Sequence, residues 1–283
     1  MKQLLIYFNL LNFKPGKATE LCFKVNCSIL VAVMIVLFIQ SILIAQPIER
    51  LTIVRGDGFW PPYEWTENSE LKGFHIDLVK AVEEQLKWDI QIESYPWRRA
   101  IKMIKDGNVD AITFITRTEE RENFLYYLKG NKLHLSKAGL ITLKKNQHKI
   151  HYTGDLAQLK QYTICAQFGH YYGEKFAKAD YLDVDDGAKS SVQLIKKLIN
   201  GRCELAVGYR YVKEVAEKKG LGSNLINLKP HLSVHPMYIG FSKIRKLDSV
   251  AKQFAEALTS FKTTSQYQNL IKKYKLAKSR QID

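Results

Sequence analysis

Hydrophobic positions between residues 51 and 116 switch repeatedly between two spacings, the short run of a buried strand and the periodicity of a helix. Apolar side chains recur at helical spacing after Phe74, whereas Ala111–Ile115 is nearly continuous. Strands that alternate with amphipathic helices are typical of a parallel sheet. The pattern predicts, in chain order, a strand over Leu51–Val54, a helix over Phe74–Leu86, a strand over Ile90–Ile92, a helix that starts at Pro96 and ends at Gly107, and a strand over Ala111–Ile115.

A second set of the same kind follows. It is bounded by two extended segments that cross between the sets, Leu133–Leu143 and Met237–Phe241. Between and after them the pattern predicts strands over Tyr162–Ala166, Tyr181–Val184 and Cys203–Val207, and helices over Tyr172–Ala179, Ser190–Asn200, Tyr211–Lys219, Leu247–Phe261 and Ser265–Tyr274. We therefore predict an α/β fold of two lobes with a central cleft. Residues 47–141 form the first lobe, 142–236 the second, and 237–283 return to the first.

The first 46 residues differ from the rest. Ser28–Ala45 is apolar and uncharged, and three lysines shortly precede it. A basic segment, an apolar segment and a small residue at its end are typical of an export signal. We expect residues 1–46 to be removed and the remainder to reside in the periplasm. The alternative is a membrane anchor, since about 18 apolar residues can span a bilayer.

The formal net charge is +15, and the first 46 residues contribute only four lysines against one glutamate. A basic balance occurs in proteins that bind nucleic acid or acidic surfaces. Here the lysines are scattered over predicted helix faces, and no basic block is interleaved with aromatic residues. We therefore assign the charge to solvated helix faces and predict no nucleic-acid partner.

Two of the four cysteines, Cys22 and Cys27, fall in the export segment and would be lost with it. The other two, Cys165 and Cys203, each lie within a predicted strand. An exported protein can oxidise such a pair to a disulfide. Two buried thiols in neighbouring strands are the alternative, and the sequence leaves both open.

Seven short motifs resemble, in order and spacing, the bacterial extracellular solute-binding proteins of family 3, the polar amino-acid type. They are Pro62–Glu64, Gly73–Leu78, Gly107–Ile112, Thr118–Arg121, Gln167–Gly169, Gly201–Ala206 and Tyr267–Tyr274. Each motif alone is weak, but together they span most of the chain after the export segment. The resemblance implies a two-lobed periplasmic-binding-protein fold (type II) whose hinge closes on one small solute. It also implies an ABC permease in the inner membrane as partner and no cofactor, and we expect a monomer.

The resemblance places several ligand residues in the first lobe. Arg121 stands where the family has an arginine that clamps a ligand carboxylate, and a guanidinium suits this role because it pairs bidentately. The alternative is a surface arginine paired with Glu119 or Glu122. Thr116 lies at a hydroxyl position beside it, or else faces outward from the strand. Trp60 occupies an aromatic position and either stacks on the solute or serves packing.

Three further candidates surround the same part of the cleft. Asp57 could accept a hydrogen bond from a ligand ammonium, or bond its own backbone as turn aspartates do. Trp97 and Arg98 open a helix whose N-terminus is expected to face the cleft, and helix N-termini favour anions. The alternative places Trp97 in the core and Arg98 in solvent.

In the second lobe, Gly169, His170 and Tyr171 form a loop whose backbone N–H groups are expected to receive the ligand carboxylate. One departure from the family matters. Its amino-acid binders hold the α-amino group on an aspartate just after a strand of this lobe, where this chain has Tyr209. Because a buried ammonium without a carboxylate is costly, the solute is a carboxylate or another anion rather than a standard α-amino acid, unless a neighbouring aspartate substitutes. The substitutes considered are Asp183, Asp185 and Asp186.

The sequence has no Gly-x-Ser-x-Gly elbow, phosphate loop or zinc-protease motif. Its spaced histidine pairs lack a third ligand in a metal pattern, so no metal site is expected. We predict a solute-binding protein and not an enzyme. One alternative is a cyclohexadienyl-dehydratase-like enzyme on the same fold, with Glu64, Glu204 or the Asp183–Asp186 group as general acid. The other is a ligand sensor that acts on a separate membrane receptor, since no output domain follows the last predicted helix.

Overall fold

The computed structural model describes residues 50–276. The predicted export segment, with Cys22 and Cys27, lies outside the described residues. The first half contains β1 (Leu51–Gly56), β2 (Trp65–Glu67), β3 (Glu70–Lys72), α1 (Phe74–Leu86), β4 (Ile90–Tyr95), α2 (Trp97–Lys105), β5 (Ala111–Thr116), α3 (Glu119–Glu122) and β6 (Leu125–Tyr126). The strands and helices predicted in this half are all present, and the bounds predicted for α1 are those observed.

The second half begins with the long strand β7 (Lys132–Leu143). It continues with β8 (Thr163–Gln167), α4 (Glu174–Ala177), β9 (Asp183–Ala188), α5 (Ser191–Ile199), β10 (Leu205–Tyr209), α6 (Tyr211–Lys218), β11 (Leu225–Asn227), β12 (Ser233–Ser242), α7 (Asp248–Lys262) and α8 (Ser265–Lys273). In the range 50–276, no helix is both long enough and apolar enough to cross a membrane.

The strands form one sheet in which two parallel groups flank two long crossing strands. Its order is β4-β1-β5-β12-β7-β10-β8-β9, with β6 beside β12 and β11 beside β7. Strand β1 is parallel to β4 and β5, and β8 is parallel to β9 and β10. The crossings β7 and β12 pair antiparallel with each other. This confirms the predicted α/β fold, and the carboxyl ends of both parallel groups are the edges where ligands bind in such sheets.

Helix α1 forms because one face of it is apolar, and Phe74, Ile76, Leu78, Val79 and Val82 are buried there. Its start requires glycine. Gly73 has φ 137°, and a Cβ added there would lie 2.0 Å from the carbonyl oxygen of Tyr63. Glycine therefore lets the first turn of α1 pack directly against the turn that follows β1, which fixes the position of His75 behind the cleft.

One predicted helix is much shorter than expected. Only Glu174–Ala177 of the predicted Tyr172–Ala179 is helical. Gly173 has φ 119°, which no helical residue adopts, and the backbone carbonyl of Tyr172 accepts a hydrogen bond from Ser233 Oγ at 2.5 Å. Tyr172 is therefore held in a loop against β12, and the helix cannot start before Glu174.

The hairpin β2–β3 was not predicted. Its turn residues Asn68 and Ser69 both have positive φ, 52° and 63°. These are the dihedrals of a two-residue hairpin turn, for which Asn followed by Gly is the usual signal. Asn followed by Ser carries that signal only weakly.

Cys165 and Cys203 form a disulfide, with their Cα atoms 5.8 Å apart. Cys165 lies in β8, and Cys203 lies just before β10, the parallel neighbour of β8. Both residues are buried. Of the two alternatives left open by the sequence, the structure has the oxidised pair.

Candidate functional site

The carboxyl ends of the parallel strands in both halves meet around one small cavity of about 30 Å³, which we call the Arg121 cavity. Its walls come from the loop after β1, the start of α2, the end of β5, α3, the loop after β8, the end of β10, the start of α6, and β12. The lining residues are Trp60, Trp97, Phe114, Thr116, Arg121, Gly169, His170, Tyr171, Tyr209, Tyr211 and Met237. The structure thus brings together all the candidates from the sequence except Asp57 and Arg98.

Arg121 is held by hydrogen bonds from both ends of its guanidinium group. Nη1 donates to the side-chain oxygen of Thr116 at 2.6 Å and to its carbonyl at 3.1 Å. Nη2 donates to the carbonyl of Gly169 at 3.3 Å. Thr116 belongs to the first half of the sheet and Gly169 follows a strand of the second, so Arg121 links the two sides of the cavity.

No carboxylate in residues 50–276 forms an ion pair with Arg121. Glu122, one of the acids considered as its partner, pairs with Arg117 instead. Burial lowers the pKa of the Arg121 guanidinium, although it stays charged at any physiological pH. The cavity therefore contains a positive charge that, within residues 50–276, meets neutral oxygens and the ring of Trp97 but no carboxylate.

Trp60 forms part of the aromatic wall and is 5% exposed. Its ring centre lies 6.5 Å from that of Trp97 and 5.3 Å from that of Phe114, with nearly perpendicular planes. Its own loop needs two glycines, because a Cβ at Gly56 or Gly58 would come within 2.4 Å of the indole ring. The two roles considered for Trp60 are compatible, since this packing also places the indole against the cavity.

In the second half, His170 closes the cavity opposite Trp97, with ring centres 6.2 Å apart. Its backbone N–H donates to the carbonyl of Gln167 at 3.2 Å. Burial, reinforced by the nearby Arg121 charge, lowers the pKa of the His170 imidazole to about 4. The ring is therefore neutral at pH 7 and adds no charge to the wall.

Tyr209 lines the cavity at the position where an aspartate was expected. Its hydroxyl donates to the backbone carbonyl of Tyr171, and burial raises its pKa, so it stays protonated. None of the three aspartates considered as substitutes lines the Arg121 cavity. Asp185 pairs with Lys197 at 2.5 Å, and Asp183 accepts from the hydroxyl of Thr163.

Asp57 and Arg98 line a larger neighbouring cavity of about 730 Å³. Trp60 and Trp97 belong to both cavities and form the partition between them. The guanidinium carbon of Arg98 lies 3.9 Å from the ring centre of Phe168. Arg98 thus faces the cleft, as the sequence suggested, but on the far side of the two tryptophans from Arg121.

Three lining residues were not found from the sequence, namely Phe114, Tyr211 and Met237. Phe114 has φ 55°, an uncommon backbone conformation for a bulky residue, next to an irregularity in the pairing of β5 with β12. Met237 faces the cavity because it is the pairing partner of Thr116 in the neighbouring strand. Tyr211 follows Tyr209 by two residues at the start of α6, and a tyrosine so close to a candidate was a usable signal.

A chain of buried ionisable groups lies behind Phe114. Glu64 accepts from Arg55 Nε at 3.2 Å and contacts His75 Nδ1 at 2.9 Å, and His75 Nε2 lies 2.8 Å from His134 Nδ1. All four side chains are at most 1% exposed. In the part of the chain that the structure describes, the other ring nitrogen of His134 has no hydrogen-bond partner. Burial lowers the pKa of both imidazoles, and most strongly that of His134, so both rings are neutral.

Comparisons with known proteins agree with this architecture. The sequence profile of the bacterial extracellular solute-binding proteins, family 3, matches residues 53–277. A histidine kinase sensor domain with similarity to periplasmic binding proteins matches with TM-score 0.68 and 18% identity, over 79% of this chain and 95% of that one. The substrate binding protein of an amino acid ABC transporter matches with TM-score 0.65 and 20% identity, over 80% and 98%. An ancestral amino acid-binding protein, a precursor of cyclohexadienyl dehydratase, matches with TM-score 0.65 and 17% identity, over 80% and 95%. At these identities the structures establish a shared fold.

Proposed function

Because the chain belongs to the bacterial extracellular solute-binding proteins of family 3, we propose that it captures a small polar or anionic solute in the Arg121 cavity and delivers it to an ABC importer from the periplasm. The observation that carries this proposal is the environment of Arg121. It is a mostly buried cation with hydrogen-bond donors directed at both sides of the cavity and no carboxylate partner in residues 50–276. A solute carboxylate would supply the missing counter-charge.

The residues around the cavity also suit a closing motion. Trp60 contacts Tyr211 and Trp97 contacts His170, so aromatic pairs join the first half to the second. The cavity of about 30 Å³ has room for only about two waters, so its walls part to admit a larger solute. A solute that contacts both sides stabilises the closed arrangement, which is the condition for transport proteins to recognise the loaded form.

Two alternatives on the same fold fit less well. The acids considered for a dehydratase are engaged elsewhere, since Glu64 is paired with Arg55 and His75, and Glu204 accepts from the backbone of Thr163. Neither of them lines the Arg121 cavity. A sensory role would use the same capture step, and the two roles differ in whether loss of this protein abolishes uptake of the solute into cells or only a response to it.

Replacement of Arg121 by Ala is expected to weaken the binding of a carboxylate solute by roughly 2–4 kcal/mol, because the buried solute charge loses its partner. A thermal-shift screen of amino acids, small carboxylates, polyamines and sugars would select the solute, and titration calorimetry would measure the dissociation constant. Arg121→Lys keeps the charge but loses the planar fork, so an intermediate loss is expected.

Arg117→Ala is the matched control. Arg117 is an exposed arginine four residues away that pairs with Glu122 and does not line the cavity. Its replacement should leave the dissociation constant within about twofold, since surface ion pairs contribute little. An Arg121→Ala variant that folds and binds as tightly as the wild type would remove Arg121, and with it the proposed site.

A further inference from the structure

The side chains that line the Arg121 cavity carry a net positive charge. Among its lining residues, Arg121 carries a positive charge, His170 is neutral at pH 7, and burial raises the pKa of Tyr209 and Tyr211 so that both stay neutral. Within residues 50–276, no aspartate or glutamate lines the cavity. The wall thus provides for a bound anion and contains no countercharge for a bound cation.

Three neutral oxygens at the cavity already accept a hydrogen bond from a donor of the protein. Thr116 Oγ1 and the carbonyl of Gly169 accept from Arg121. The carbonyl of Tyr171 accepts from the hydroxyl of Tyr209. A solute ammonium would bring three donors that prefer an ionised partner. It would lose its hydration shell in a wall that already contains a guanidinium charge, which is unfavourable.

The rest of the wall suits an apolar, planar solute body. Trp60, Trp97, Phe114 and Tyr211 surround the cavity with rings, and Met237 adds an adaptable thioether. Trp60 and Trp97 also border the neighbouring cavity of about 730 Å³, so a displacement of the two indoles joins the two spaces. The joined space would accommodate a ring attached to the carboxylate bound at Arg121.

We propose, on the basis of the function proposed above, that the solute is a monocarboxylate with an apolar or aromatic body and no free ammonium group on its α-carbon. Tyr209 is then the residue that determines specificity, because it fills with a neutral side chain the place next to Arg121 where a carboxylate would hold an ammonium. The protein selects carboxylic acids or 2-oxo acids over the corresponding amino acids.

Matched solutes that differ in one group test this selectivity by titration calorimetry on the purified protein. The set is 3-phenylpropanoate, phenylpyruvate, L-phenylalanine, phenethylamine, the aliphatic pair 4-methylpentanoate and L-leucine, and N,N,N-trimethylglycine. We expect 3-phenylpropanoate or phenylpyruvate to bind at least about tenfold more tightly than L-phenylalanine. The reason is that binding of L-phenylalanine would bury its ammonium group without a partner. The same order is expected for the aliphatic pair, and no binding for phenethylamine.

Two variants at position 209 test whether Tyr209 causes this selectivity. Tyr209→Asp introduces a carboxylate, and Tyr209→Asn removes the same ring without adding charge. Relative to Tyr209→Asn, the Asp variant should shift the ratio of affinities at least about tenfold toward L-phenylalanine. If either variant fails to fold, the affinities of the matched solutes for the wild-type protein still test the inferred selectivity.

Each outcome bears on a different level of the proposal. If L-phenylalanine or L-leucine binds as tightly as its deaminated analogue, and Arg121→Ala weakens that binding, the solute-binding function stands and the inferred selectivity is wrong. Tightest binding of N,N,N-trimethylglycine would also overturn it, since the rings would then hold a cation. If none of these acids and amino acids binds, the inference is wrong, and the thermal-shift screen tests the proposed function separately. Binding that is independent of Arg121 overturns both.

Discussion

Loss of the Cys165–Cys203 disulfide is expected to lower the free energy of unfolding by about 4 kcal/mol. The bond joins residues separated by 38 positions, and a crosslink that closes a loop of this length removes that much conformational entropy from the unfolded chain. For a chain of this size the midpoint of thermal unfolding should fall by roughly 8–16 °C. The measurement compares protein that is refolded from denaturant with and without a phosphine reductant.

The control is the double variant Cys165→Ala/Cys203→Ala, which should unfold at the same temperature with or without reductant. Both sulfurs are buried, so reductant added to the folded wild type should act slowly, and reduction is done in denaturant. Peptide mapping of the unreduced protein should recover one linked peptide that contains both residues. Two free thiols at these positions, or an equal unfolding midpoint after reduction, would show that the bond does not form or does not stabilise.

The disulfide also bears on the candidate site. Cys165 lies in β8, which leads into the loop Gly169–Tyr171, and Cys203 precedes β10, which ends at Tyr209. The bond therefore fixes the two strands that carry the second-half wall of the Arg121 cavity. Its contribution lies in the stability of that wall, because neither sulfur touches the cavity.

The hydrophobic pattern predicts the parallel groups and their helices because burial of one face has a fixed period along a strand or a helix. The pattern fails where the dihedral angles of single residues determine the local structure. Gly173 prevents the start of a helix that its neighbours favour, and Asn68 and Ser69 form a hairpin turn by adopting positive φ. Such angles depend on contacts with distant segments, as in the bond from Ser233 to Tyr172.

The residues of the candidate site also divide into those that the sequence predicts and those that it does not. The resemblance to the family predicts Arg121 and Thr116, and their place at or just after the end of β5 agrees with this role because strand ends meet at one edge of a parallel sheet. Met237 could not be predicted, since its position depends on the register of β12 beside β5, where it pairs with Thr116. Phe114 reaches the cavity through a backbone conformation that its own sequence does not favour.

The chain of Glu64, His75 and His134 illustrates the largest gap. His75 and His134 are 59 positions apart, and nothing local to either residue signals a partner. Each of them looks like an ordinary polar position in its own helix or strand. Only the packing of α1 and β7 on the turn after β1 brings their side chains together, and this packing has a measurable consequence for stability.

Acidification from pH 7 to pH 5 is expected to lower the free energy of unfolding through His75 and His134. Burial depresses the pKa of both imidazoles below the ordinary value of about 6.5. The unfolded chain therefore binds protons at pH values where the folded protein does not, and stability is lost as the pH falls below about 6.5. Urea unfolding at a series of pH values measures this dependence.

The charged groups packed around the two rings contribute little between pH 7 and pH 5. The pKa of Lys262 is lowered to about 8 by burial, so this lysine is already protonated in both states below pH 7. Glu64 gains a low pKa from His75 and Arg55 despite its burial, and the stability that it adds is lost only below its unfolded value of about 4.5. His170, whose pKa is lowered to about 4 chiefly by burial, adds to the slope in the same direction as the buried pair.

His134→Asn isolates one of the two titrating groups. The Asn side chain can still meet His75 Nε2, since its amide occupies the position of His134 Nδ1, but it cannot bind a proton in this range. The variant should be less stable at pH 7, because it loses the stacking of His134 on Tyr63. Its loss of stability between pH 7 and pH 5 should nevertheless be smaller than that of the wild type, because one of the two titrating imidazoles is gone.

His151→Ala serves as the comparison, because it removes an imidazole that is exposed in a loop. An unchanged slope in His134→Asn would mean that His134 titrates alike in the folded and unfolded states. The buried chain would then accept a proton without cost.

Phe114 separates His75 from the Arg121 cavity, with its ring centre 4.9 Å from that of His75 and 5.3 Å from that of Trp60. The expected acid sensitivity therefore arises directly behind the cavity wall. Solute affinity measured at pH 5 should therefore be compared only at temperatures where the protein remains folded.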